Sequence, residues 1–130
     1  MEGKKVRILL VEDNIKYVNL FNYLLAEEEV TLKIDIINAN NLQQALEYIE
    51  RETFDVIVLD LFLPDSRGLE SIARVQEKNP HVPILILTAL DDSETKAQAL
   101  KQGVKGYLPK DQIITHFLPT IRALVSNPTF

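Results

Sequence analysis

Apolar positions along this chain follow two alternating rhythms. Three runs, Val6–Val11 (VRILLV), Val56–Leu59 (VIVL) and Ile84–Leu87 (ILIL), are almost or wholly apolar. That pattern suits a strand covered on both faces, as in a parallel sheet, whereas a strand wetted on one side alternates. Lys33–Ile37 opens with apolar and charged residues alternating and predicts an edge strand. The short run Val104–Leu108 predicts a second edge.

Helical spacing fills the intervals. Ile15, Val18, Phe21, Leu24 and Leu25 recur at helical intervals and lead into the solvated run Glu27-Glu28-Glu29. Asn40 or Asn41 can cap a second helix, whose apolar positions Leu42, Ala45, Leu46 and Ile49 follow i, i+3, i+4, i+7. A third helix is predicted from about Gly68 to Lys78, with Leu69, Ile72 and Val75 inward. Asn79-Pro80-His81-Val82-Pro83 must be a loop, because proline cannot continue a helix and restricts the residue before it. Asp91, with Glu94 three residues on, resembles a capping box for a fourth helix that Gly103 terminates. That helix offers only Ala97, Ala99 and Leu100 to a core. Asp111–Ser126 predicts a last helix, in which Pro119 removes a hydrogen bond and should kink or delay it.

Strand-like and helix-like segments thus alternate five times, which argues for an α/β, doubly wound, five-stranded parallel sheet with helices on both faces. The apolar first, third and fourth strands belong in the centre and the other two at the edges, giving the flavodoxin-like order 2-1-3-4-5 with right-handed crossovers. In that order the first and third strands flank the topological switch point. Glu12-Asp13, after the first strand, and Asp60, at the end of the third, should therefore meet in one crevice at the carboxyl edge of the sheet.

Composition narrows the function. At 130 residues, 46% of them hydrophobic and 25% charged, the chain is expected to be one soluble globular domain spanning 1–130. A net charge of -5 lacks the positive field that non-specific nucleic-acid binding needs, so direct DNA binding is not expected. The absence of cysteine excludes disulfides, thiolate metal sites and cysteine nucleophiles. No signal-peptide hydrophobic region and no bilayer-length apolar run is present, which leads to the expectation of a cytoplasmic protein without a membrane partner. His81 reads as a solvated loop histidine, since no second histidine lies near it.

Three carboxylates in one crevice repel one another and must take up protons or hold a cation. Mg²⁺ is the natural partner: it takes one or two carboxylates, keeps several waters and accepts phosphate oxygens as further ligands. A metal beside a free aspartate suits phosphoryl transfer, with Asp60 as the nucleophile that becomes an aspartyl phosphate. Thr88, ending the fourth strand, and Lys110, after the fifth, lie at the same edge and can donate to phosphoryl oxygens. Alone, Asp60 could merely cap a turn, Thr88 could open a helix and Lys110 could be a solvated lysine. Their joint placement at strand ends argues for a site.

With these residues in view, the chain resembles the receiver domain of two-component response regulators over nearly its whole length. The resemblance is carried by Glu12 and Asp13 in VEDN, Asp60 in VIVLDLFLPDSRG, Thr88 in ILTA, and Tyr107 with Lys110 in KGYLPK. It implies Mg²⁺-dependent transfer of a phosphoryl group to Asp60 from a phosphohistidine of a sensor histidine kinase or phosphotransfer protein. It also implies a metal ligand in the Phe62 backbone carbonyl and a switch in which Tyr107 turns inward as Thr88 is drawn to the phosphoryl group. The readout falls to the surface of residues 91–126, and through it to a downstream protein partner or an output domain in trans. Two departures matter. Many receivers have proline after the lysine, with a cis bond there; here Asp111 follows Lys110 and Pro109 precedes it. Pro119 stands in a helix that many receivers use for pairing, so a homodimer of the usual kind is left open. A haloacid-dehalogenase-type phosphatase is a poor match, because its second aspartate is replaced by Phe62. A receiver-shaped interaction module that works without phosphorylation would be suggested by a missing carboxylate, threonine or lysine, and none is missing.

Overall fold

A computed structural model describes residues 5–26, 33–89 and 92–126. The strands are β1 (Lys5–Val11), β2 (Lys33–Ala39), β3 (Val56–Asp60), β4 (Phe62–Leu63), β5 (Ser66–Arg67), β6 (Ile84–Thr88) and β7 (Gly106–Pro109). The helices are α1 (Ile15–Ala26), α2 (Leu42–Arg51), α3 (Glu70–Lys78), α4 (Ser93–Lys101) and α5 (Ile113–Ser126). Five strands form one parallel sheet in the order β2-β1-β3-β6-β7, the expected 2-1-3-4-5 arrangement once the two-residue strands are set aside.

Side chains of a strand point alternately to opposite faces, so each apolar strand feeds two cores. Leu9, Val11, Ile57, Leu59, Ile84 and Ile86 pack with α2, α3 and Ala99 of α4 on one face. Ile8, Leu10, Val56, Val58, Leu85 and Leu87 pack with α1 and α5 on the other. There Phe21 and Phe117 meet edge to face with ring centroids 4.6 Å apart. Such a pair is worth about 0.5–1.5 kcal/mol beyond its buried area.

Several boundaries differ from expectation for local reasons. α3 starts at Glu70, because Gly68 takes a left-handed φ of 71° that closes the preceding turn. Phe62–Leu63 and Ser66–Arg67 pair antiparallel into a small hairpin where only a turn was expected. The last strand lies at Gly106–Pro109 rather than Val104–Leu108. A single 3₁₀ turn, Lys110–Gln112, separates it from α5, which starts at Ile113 rather than Asp111 and continues through Pro119. No described peptide bond is cis, those of the Pro109-Lys110-Asp111 segment included. Asp91 and the Glu27-Glu28-Glu29 run lie outside the described residues. The cap of α4 is instead Asp92, whose carboxylate accepts from the Glu94 amide at 3.1 Å and the Thr95 hydroxyl at 2.7 Å. Two helix faces were also misjudged. Ile15 is exposed at the tip of α1, and α4 buries only Ala99, leaving Ala97 and Leu100 in solvent.

Candidate functional site

Sheet register assembles the site. Val11 lies opposite Leu59, which sets Glu12, just past β1, beside Asp60, the last residue of β3, and Thr88 lies opposite Pro109, which sets Lys110 one residue beyond. Glu12, Asp60 and Thr88 are all buried, unusual for two carboxylates unless they are paired. Asp13 is exposed at the rim. One oxygen from each of Glu12, Asp13 and Asp60 lies within 4.8 Å of the others, close enough to share one cation.

Lys110 is the counter-charge. Its ammonium sits 2.9 Å from Glu12 Oε1 and 3.2 Å from Asp60 Oδ2. The other oxygens are held by the backbone: Asn14 N–H donates to Glu12 Oε2 at 3.0 Å, and Phe62 N–H donates to Asp60 Oδ1 at 3.1 Å. The turn carrying Glu12 is fixed in turn by Asn38, whose amide donates to the Leu10 and Glu12 carbonyls at 2.9 and 3.1 Å.

Burial pushes the Glu12 carboxyl up from its ordinary range, and the Asp60 charge adds to this; the Lys110 ammonium and the Asn14 amide only partly offset it. For Lys110 burial alone would lower the ammonium, but Glu12 and Asp60 outweigh it and hold it above the usual lysine range. Glu12 Oε1 lies against the ammonium without an aligned hydrogen-bond donor among the described residues, so its pairing with Lys110 is chiefly electrostatic. The arrangement is a largely buried acidic pocket whose charge one lysine partly offsets, with backbone amides fixing Glu12 and Asp60.

Glu12, Asp13, Asp60 and Lys110 therefore converge, with Thr88 at the same edge of the sheet. Phe62 lies directly after Asp60 with its ring partly exposed, and Tyr107 is half-buried on β7 against the α2–α3–α4 core. The Lys96 ammonium of α4 lies 6.0 Å from the Tyr107 ring centroid. Two contributors were missed by sequence reasoning. Asp65, in the hairpin turn, accepts from the Leu42 and Gln43 amides at 2.8 and 2.9 Å and so caps α2 from another element. Tyr17, on the first turn of α1, lies with its ring centroid 4.2 Å from the Lys110 ammonium. No pattern in the chain singles out either; both act through tertiary placement.

Residues 8–122 match the model of the response regulator receiver domain. The chain belongs to that family. A receiver is a phosphoacceptor signalling domain rather than a metabolic enzyme. Among curated relatives, the transcriptional regulatory protein ZraR of Klebsiella oxytoca is 34% identical over 110 residues, covering 85% of this chain. The chain spans only 24% of that longer regulator. Among solved structures, the receiver domain of Francisella response regulator 1452 superposes with a TM-score of 0.82 at 28% identity, covering 93% of this chain and 97% of that one. A Burkholderia pseudomallei response regulator, described with a phosphorylated aspartic acid, a calcium ion and citrate, superposes with a TM-score of 0.76 at 27% identity. That match covers 93% of this receiver and 69% of the Burkholderia chain. No described helix of the receiver is long and apolar enough to cross a membrane.

Proposed function

We propose that this receiver, read as one domain over residues 1–130, is a switch that takes a phosphoryl group onto Asp60. The observation that carries the reading is a buried aspartate at the end of the central strand, 3.2 Å from a largely buried lysine and clustered with two further carboxylates. A phosphorylated aspartate and a divalent cation in the Burkholderia relative support it.

The donor set fits Mg²⁺. Three carboxylates converge within 4.8 Å, all hard oxygen donors, and Glu12 Oε1 has no aligned donor among the described residues. Glu12, Asp13 and Asp60, with the Phe62 carbonyl by resemblance, would hold the ion. When bound, Mg²⁺ neutralises charge on the transferring group. An Asp60 oxygen bonds to phosphorus as the bond from phosphorus to the donor histidine nitrogen breaks, the electron pair staying with the nitrogen. Phe62 N–H keeps the Asp60 carboxylate oriented, and Lys110 turns from the carboxylates to a phosphoryl oxygen. Thr88 donates its hydroxyl to another oxygen, and the space it vacates lets Tyr107 rotate inward. The face formed by residues 92–126 then changes.

Phosphohistidine of a sensor histidine kinase or phosphotransfer protein is the donor in this reading, in the cytoplasm. The relatives' greater length leaves room for an output domain beside the receiver, and readout in this reading passes to such a domain or to a separate protein partner. Borohydride reduces an aspartyl phosphate to homoserine, so the acceptor can be located. After incubation with acetyl phosphate and Mg²⁺, peptide mapping is expected to find homoserine at residue 60. Conversion at another aspartate instead would overturn the assignment.

A further inference from the structure

Among the described residues Lys110 has three partners, and phosphoryl transfer would take two of them away. Its ammonium is held by Glu12 at 2.9 Å and Asp60 at 3.2 Å, and the ring of Tyr17 lies 4.2 Å away, centroid to nitrogen. Once Asp60 becomes an acyl phosphate and Glu12 faces a cation, both carboxylates are lost to the ammonium, which turns to a phosphoryl oxygen instead. The aromatic face is not consumed.

Tyr17 is fixed by the same turn that carries the acidic pair. Glu12 Oε2 accepts from the Asn14 amide at 3.0 Å, and the Asn14 carbonyl accepts from the Tyr17 amide at 3.0 Å. The next residue, Val18, is buried in the core between α1 and α5, which anchors the turn. The Lys110 side chain is only 10% exposed, so its attraction to the ring is little screened by water. Lys16 also approaches this ring, but at 5.7 Å and from an exposed position.

We propose that Tyr17 is a positioning residue for Lys110, its ring face keeping the ammonium in the site as Glu12 and Asp60 cease to be its partners. The inference rests on the reading of Asp60 as phosphoacceptor and adds a residue through which that reaction is controlled. The ring face, not the hydroxyl, is the working part. Phenylalanine should therefore replace tyrosine, and leucine should not.

The test uses the full chain with Tyr17→Phe, Tyr17→Leu and, as a control, Lys16→Ala. Two quantities are read: the maximal rate at which acetyl phosphate labels the protein, and the proton shift of the Lys110 ε-methylene, which a ring face moves upfield. Parent, Tyr17→Phe and Lys16→Ala are expected to label alike and, in the first two, to share the upfield shift. Tyr17→Leu is expected to lose the shift and to label more slowly, on the order of three- to tenfold. A folded Tyr17→Leu protein that labels at the parent rate overturns the proposal, as does a Tyr17→Phe protein as slow as Tyr17→Leu. Should Tyr17→Leu not fold, the parent spectrum decides, and an unshifted Lys110 methylene overturns the proposal. A parent that shows the shift but takes no label refutes the phosphoacceptor reading itself, a result distinct from a labelled parent indifferent to Tyr17.

Discussion

The Lys110 ammonium lies 2.9 Å from an oxygen of Glu12, a carboxylate with no exposed surface. Removing one partner of a buried pair leaves the other charge uncompensated, at a cost of about 3–5 kcal/mol. Lys110→Met should therefore destabilise the metal-free protein, by less at low pH where Glu12 can take up a proton. The pH dependence comes from Glu12, whose folded pKa is already raised above its unfolded value and is raised further when Lys110, which lowers it, is removed. Its favourable contribution is complete below the unfolded carboxyl range and is lost as pH rises through the folded value. Urea denaturation from pH 4 to pH 8 should show the gap between parent and Lys110→Met widening with pH. A pH-independent gap would contradict the pairing.

Asp65 gives a second test, with the opposite sign. Burial tends to raise this carboxyl, but the Gln43 and Leu42 amides outweigh it and hold it below its usual range. A depressed folded pKa contributes stability above the unfolded value, lost as pH falls through the folded one. Asp65→Ala should cost about 0.5–1 kcal/mol near neutrality, the lower part of the capping range because the side chain is exposed. Melting temperatures of parent and variant should converge below about pH 4. Equal melting temperatures at pH 7 would show that Asp65 does not hold α2.

Crowded carboxylates also predict a response to metal. Mg²⁺ that binds only the folded chain should add roughly 2.7 kcal/mol at a hundred times its dissociation constant. Asp13→Asn and Asp60→Asn should each raise the melting temperature of the metal-free protein and shrink that gain. Melting curves of the parent that coincide with and without Mg²⁺ would rule out the cation site.

The sheet was legible because Val56–Leu59 and Ile84–Leu87 are apolar without interruption, a pattern that only burial on both faces explains. Strand order then followed from which runs could stand at an edge, and with it the meeting of Glu12, Asp13 and Asp60. Helix faces were less legible. Ile15 fits the α1 period but, as the first residue of that helix, is exposed, and Leu100 fits α4 but is exposed as well. Adjacent Asp91 and Asp92 are equally able to cap, so spacing alone could not choose between them. The Phe62–Arg67 hairpin has strands too short to show any period. Tyr17 and Asp65 act on residues of distant elements, which no local pattern encodes.

The switch can be tested through α4. With Ala99 as its one buried residue, this helix gains little from burial and should open easily. Phosphorylation can bias it only through a difference in interaction with two states, and Thr88 would carry that difference. In the parent, phosphorylation should change hydrogen exchange across residues 92–110; in Thr88→Ala, Asp60 should still be labelled while those changes disappear. Unchanged exchange at residues 92–110 in the phosphorylated parent would contradict the switch.

The central claim is that Asp60 accepts the phosphoryl group. Intact-mass spectrometry of the parent and of Asp60→Ala, each incubated with acetyl phosphate and Mg²⁺, tests it most directly. The account predicts that the parent gains the mass of a single phosphoryl group, that chelating the Mg²⁺ prevents this, and that Asp60→Ala stays unlabelled. Labelling of Asp60→Ala to the same extent as the parent would contradict it.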